Sequence, residues 1–145
     1  GDLSGGGDGL LPLVFGIVLG AAILAYGQAR RLNLLMVGED DARVLGVDVE
    51  RVKKMAYLLA SLLTGVIVSV AGAIGFVGLL VPHLVRLLWG SDNRLVIPAA
   101  ALSGAILVVL ADAVARTALA PRELPVGAVM ASLGAPFFIF LLRRA

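Results

Sequence analysis

ARRLNLLMVGEDDARVLGVDVERVKKM, residues Ala29 to Met55, is the most polar stretch of an otherwise apolar chain. Between Arg30 and Lys54 it carries six basic residues (Arg30, Arg31, Arg43, Arg51, Lys53, Lys54) and five acidic ones (Glu39, Asp40, Asp41, Asp48, Glu50). Long apolar segments flank it, so it reads as a structured loop on one face of a membrane and the part best placed to meet a soluble partner. Gly38 precedes three acids, Glu39, Asp40 and Asp41, which suit the positive end of a helix dipole. Arg43 falls in the last turn, and Gly46 sits where a left-handed cap belongs. Glu39 to Leu45 is therefore expected to be a short helix. Asp48 is placed to cap a second, with Glu50 in its first turn. Two short helices broken at Gly46 make a compact knob, and Arg51, Lys53 and Lys54 then stand at the water–lipid boundary.

The rest of the chain sets the class. Of 145 residues, 60% are hydrophobic and 15% charged, whereas soluble domains carry about a quarter charged. The long uncharged runs imply an all-α, polytopic membrane bundle. With no cysteine, disulfides, thiolate metal sites and thiol catalysis are excluded. The net charge of +2 includes no basic stripe, which argues against nucleic acid as a partner. Residues 1–9, GDLSGGGDG, are polar and glycine-rich rather than the basic start of a signal peptide. They read as an external segment of a longer protein, and the chain as a fragment.

About five spans are expected, at 10–29, 55–71, 79–89, 95–115 and 126–142, with the loop 30–54 between the first two. Gly16 and Gly20 in the first form a G-x-x-x-G pair that can bring helices close. A single helix from Met55 to Trp89 would be roughly 50 Å long, far beyond the roughly 30 Å hydrocarbon core. The run is therefore split at a turn from Gly72 to Gly78, with Pro82 as a further break. GSDNR (Gly90 to Arg94) is a polar turn, and Pro98 is expected in the first turn of the fourth span. Asp112 and Arg116 stand as an i,i+4 pair near that span's far end, and LGAP (Leu133 to Pro136) interrupts the last. Five crossings put ten of the twelve basic residues on one side, with the loop, the GSDNR turn and the C-terminus. The positive-inside rule makes that side cytoplasmic.

No P-loop, G-x-S-x-G or H-E-x-x-H pattern is present. The only histidine, His83, reads as a helix-end or carbonyl-bonding residue rather than a metal ligand or proton shuttle. Ionisable residues are nearly absent from the spans, which argues against a proton- or sodium-coupled secondary carrier. A pore driven by a partner fits the pattern best. A non-transport scaffold, or a truncated or split subunit whose loop only binds a cytosolic partner, is the alternative.

Three stretches carry a resemblance: RRLNLLMVGEDDARVLGVDVERVK, GFVGLLVPHLVR, and the combination ADAVAR…ELPVG…LGAPFF. From Arg31 to Arg144 the chain closely resembles the second half of the FecCD family, the permeases of bacterial ABC importers for iron–siderophores, haem and vitamin B12. The resemblance implies a permease without catalytic chemistry or cofactor of its own, in the bacterial inner or plasma membrane with its C-terminus cytoplasmic. It also implies partners: cytosolic ABC ATPase subunits, a periplasmic or lipoprotein substrate-binding protein, and a second permease copy. By the same resemblance, the loop forms two coupling helices against the ATPase, with Glu39, Ala42, Arg43, Leu45, Gly46 and Val47 as contacts. Arg116 and Arg122 are the candidates for docking the binding protein. Met130, Ser132 and Leu133 are the candidates for lining the translocation path, with Gly134 and Pro136 setting a bend. No metal site is expected.

Overall fold

The computed structural model describes residues 9–117 and 125–144. These residues form seven α-helices: α1 (Leu10–Gly27), α2 (Ala29–Val37), α3 (Glu39–Val44), α4 (Val49–Ala71), α5 (Val77–Trp89), α6 (Asn93–Thr117) and α7 (Val126–Arg144). Among the described residues, α1, α4 and α6 are long and apolar enough to cross a membrane unaided. The apolar part of α7 runs from Val126 to Phe140, and α5 has 13 residues, about 20 Å. The described residues form an all-helical membrane bundle, but α5 is too short to span alone.

The polar loop folds differently from its sequence reading in two ways. Ala29–Val37 is a helix in its own right, packed on α3, α4 and α6. The helix capped by Asp48 is not short, because α4 continues for 23 residues into the apolar span. Nothing between Val49 and Ala71 breaks a helix except Gly65, and an isolated glycine is tolerated inside one. The two short helices are thus α2 and α3, both before Gly46.

The prolines also depart from expectation. Pro82 lies inside α5 and Pro98 is the sixth residue of α6, which begins at Asn93. Pro136 lies within an unbroken α7, so LGAP does not interrupt that helix. A proline removes one i→i−4 bond, and membrane helices tolerate this where neighbours re-satisfy the freed groups.

Small residues set the packing of α5, α6 and α7. Ala111 and Ala115 of α6 pack against Val126 and Met130 of α7, with Ile74 and Val77 beside them. Val81 and Val85 of α5 meet Val96 of α6. The Gly72–Phe76 connection is pressed onto α7. A Cβ on Gly134 would lie 2.5 Å from the Phe76 Cβ, and one on Gly127 would lie 3.0 Å from the Ala73 carbonyl oxygen. Gly134 therefore admits Phe76 rather than setting a bend. Phe76 itself sits in the left-handed region, with φ 68°, a costly conformation for a bulky residue. A Cβ added to Gly16 or Gly20 would meet nothing within 4 Å, so their motif makes no close contact with the described residues.

Candidate functional site

The knob is built from its caps. Gly46 adopts φ 81°, which costs glycine little. Its N–H donates to the Arg43 carbonyl, and that of Val47 donates to Ala42, each at 3.0 Å. This pair of bonds is a complete Schellman motif closing α3. Two residues later the Asp48 carboxylate accepts from the Arg51 N–H at 3.2 Å, capping α4. The Arg51 guanidinium also pairs with Asp48 at 3.0 Å. Lys53 of α4 reaches back to Glu39 of α3. Its hydrogen bond and positive charge hold the Glu39 carboxyl below the ordinary glutamate range.

These contacts fix how the expected ATPase-facing residues are displayed. Ala42 is fully buried and anchors α3, so it supports the surface rather than forming it. Arg43 is exposed and lies 3.5 Å from Asp40. Leu45 is 65% exposed, and Val44, which sequence reasoning left out, is 87% exposed. The two make an apolar tip on a polar knob. Val44 gave no signal because exposure at a helix C-terminus depends on the turn that follows. Gly46 and Val47 edge a cleft that Gln28, Arg31, Arg51 and Met55 also line.

A second set of contacts crosses the chain. Asn33 of α2 donates from Nδ2 to the Asp92 carboxylate at 2.6 Å. Its Oδ1 accepts from the backbone N–H of Asn93 at 2.8 Å. Asp92 caps α6: its carboxylate accepts from the Arg94 N–H at 3.0 Å, and its carbonyl accepts from Leu95 and Val96. The Arg94 N–H and then the Asn33 amide lower the Asp92 pKa. These bonds put the polar loop and the GSDNR turn at the same end of the bundle. They join residues about sixty apart, so no local pattern could announce them.

The remaining candidates are dispersed. Arg116 Nε bonds Asp112 Oδ2 at 2.8 Å in the last turns of α6. Arg122 lies outside the described residues. Met130 is fully buried between α6 and α7, so it faces no path that this chain presents. Ser132 and Leu133 are exposed on α7. His83 does not end a helix; it is half-buried in the middle of α5 and meets the Phe137 ring edge-on at 6.5 Å. Among the described residues, no group of His, Asp and Glu is arranged to hold a metal ion.

The chain is similar to known proteins in sequence and in fold. A cobalamin import system permease of Halobacterium salinarum is 52% identical over 94% of this chain and 35% of its own length. A hemin transport system permease of Yersinia pestis is 48% identical over 88% of this chain and 38% of its own length. A solved structure, described as an inward-facing conformation of a provisionally assigned metal-chelate type ABC transporter, superposes with a TM-score of 0.88 at 32% identity. It covers 98% of this chain and 46% of that one. The chain thus spans less than half the length of these relatives. The FecCD transport family model matches residues 1–144, and the chain belongs to that family.

Proposed function

We propose that this chain is the second half of a transmembrane permease in an ABC importer. The importer moves an iron chelate, haem or a cobalamin-like cargo across a bacterial cell membrane. ATP hydrolysis in a separate cytosolic subunit drives transport, and the permease catalyses no covalent step. The rigid knob from Glu39 to Val47 supports this reading most directly. Its helix is closed by a Schellman turn, tied back to α4 by Glu39–Lys53, and tipped by exposed Val44 and Leu45. A body held at both ends passes on a displacement that a slack loop would absorb.

The polar loop and the GSDNR turn, which share one end, carry most of the basic residues. The positive-inside rule places that end, and the C-terminus, in the cytosol. Arg116 then lies at the outer face, where it and Arg122 serve the substrate-binding protein. Ser132 and Leu133 face the path, completed by the first half of the permease and a second copy. The test uses the full-length permease with its ATPase. Arg43→Glu and Gly46→Pro are expected to abolish ATP-driven uptake while membrane insertion persists. Wild-type uptake rates in both variants, or uptake that continues without ATP, would count against the reading. Growth on single iron or cobalamin sources identifies the cargo.

A further inference from the structure

The knob has two attachments, and only one of them is local. Glu39–Lys53 and the Asp48 cap tie it to α4, which follows it in the chain. The other runs through α2 and its Asn33. This residue lies on α2, which packs on both α3 and α6. Its amide uses both ends, donating to Asp92 and accepting from the Asn93 N–H, so it grips the cap of α6 rather than its flank. Asn93 is itself buried, and its side-chain nitrogen lies 3.3 Å from the Met36 sulfur on α2. α6 then runs 25 residues, roughly 36 Å at 1.5 Å per residue, to the Asp112–Arg116 pair at the opposite end.

We propose that Asn33 is a positioning residue for energy coupling: its two-ended bond to the α6 cap makes α2, the knob packed on it and α6 one body. Displacement at the knob is then delivered along α6 to the end that carries Arg116. This proposal rests on the permease reading above and names the connection through which that reading works. An apolar residue at position 33 could fill space between α2 and α6. It could not hold a carboxylate and a helix-end N–H at the same time.

The chemistry of the pair supplies a sharp test. Asn33→Asp places two carboxylates face to face at the cap and removes the donor. Asp92→Asn in the same chain restores a donor and an acceptor with their places exchanged. The carboxylate introduced on α2 then accepts from the amide introduced at the cap and from the Asn93 N–H. In the parent, the Asn33 amide and the Arg94 N–H both end on Asp92 Oδ1, so the new amide turns its nitrogen to position 33 and its oxygen to the Arg94 N–H. The single and double variants are made in the full-length permease, assembled with its ATPase and binding protein. The readout is cobalamin or haem, whichever the unmodified complex takes up, imported per ATP hydrolysed in purified, reconstituted complexes, which does not depend on how much complex forms.

Asn33→Asp is expected to lower that ratio at least tenfold, and the double variant to return it to within about twofold of wild type. An unchanged ratio in Asn33→Asp overturns the proposal, even if less complex assembles. So does a lowered ratio that the exchanged pair fails to restore. The unmodified complex separates the two levels of inference. If its uptake does not require ATP, the permease reading has failed. If it does, the outcome belongs to Asn33 alone.

Discussion

The two ends of this molecule are held together by different physics. Around α2, α3 and the α4 and α6 caps, the contacts are directional: the Gly46 turn, the Asp48 cap, Glu39–Lys53 and Asn33–Asp92. Around α5, α6 and α7 they are steric: Phe76 in the notch at Gly134, and Met130 among alanines and valines. The division follows from the surroundings. Burying an apolar side chain against another gains little over burying it in lipid tails, so helices there associate through close packing and small residues. At the interface, water competes for every polar group, and only preorganised caps and paired bonds define a shape. The steric region supplies a rigid frame, and the directional region supplies the part that the proposed function has the ATPase push.

The largest effect is expected in the steric region. Gly134→Ala forces a Cβ to within 2.5 Å of Phe76, and overpacking of this kind costs about 1–3 kcal/mol. Gly104→Ala, on α6, is the control. Its Cβ would meet Val77 at an ordinary 3.7 Å, so thermal unfolding in detergent should barely shift. Combining Gly134→Ala with Phe76→Gly should remove most of the penalty, because the obstructing side chain goes and φ 68° then suits the residue. Equal losses at Gly104 and Gly134 would erase the distinction between the two regions.

In the directional region, effects should be smaller and local. Asp48→Ala removes a side-chain cap and should cost about 1 kcal/mol, while Asp48→Asn should be nearly neutral. Hydrogen exchange at the start of α4 would localise the loss. The Glu39–Lys53 pair is exposed, and its signature is pH dependence. The folded state favours ionised Glu39, so its contribution is fully present above the ordinary glutamate pKa. It is lost as pH falls through the lowered folded-state value. Acid titration of Glu39→Gln against the parent should show the two converge only at low pH.

Legibility in the sequence divides along the same line. The Gly46 turn and the Asp48 cap could be read because their partners lie within a few residues and glycine and aspartate have strong positional meaning. The break after Ala71 was legible from length, since one helix to Trp89 would overshoot any bilayer. The α2 helix was not, because Arg30, Arg31 and Asn33 look like loop chemistry until Asn33 finds Asp92 across the chain. Pro136 read as an interruption because proline lacks the N–H that a helix interior uses, yet α7 runs through it. Met130 read as a path-lining candidate for want of helix phase: Ala111 and Ala115, which pack against it, come from a different helix. Pairings distant in sequence were the common blind spot.

The proposed coupling role puts the tip at Val44 and Leu45 against the ATPase. The described stretch has no native cysteine, so Leu45→Cys adds a single reporter here. Cross-linking from that thiol in native membranes holding the full-length permease and its ATPase should yield a covalent permease–ATPase product that depends on the introduced cysteine. No such product, together with modification of the same cysteine by a membrane-impermeant thiol reagent in intact cells, would contradict the account.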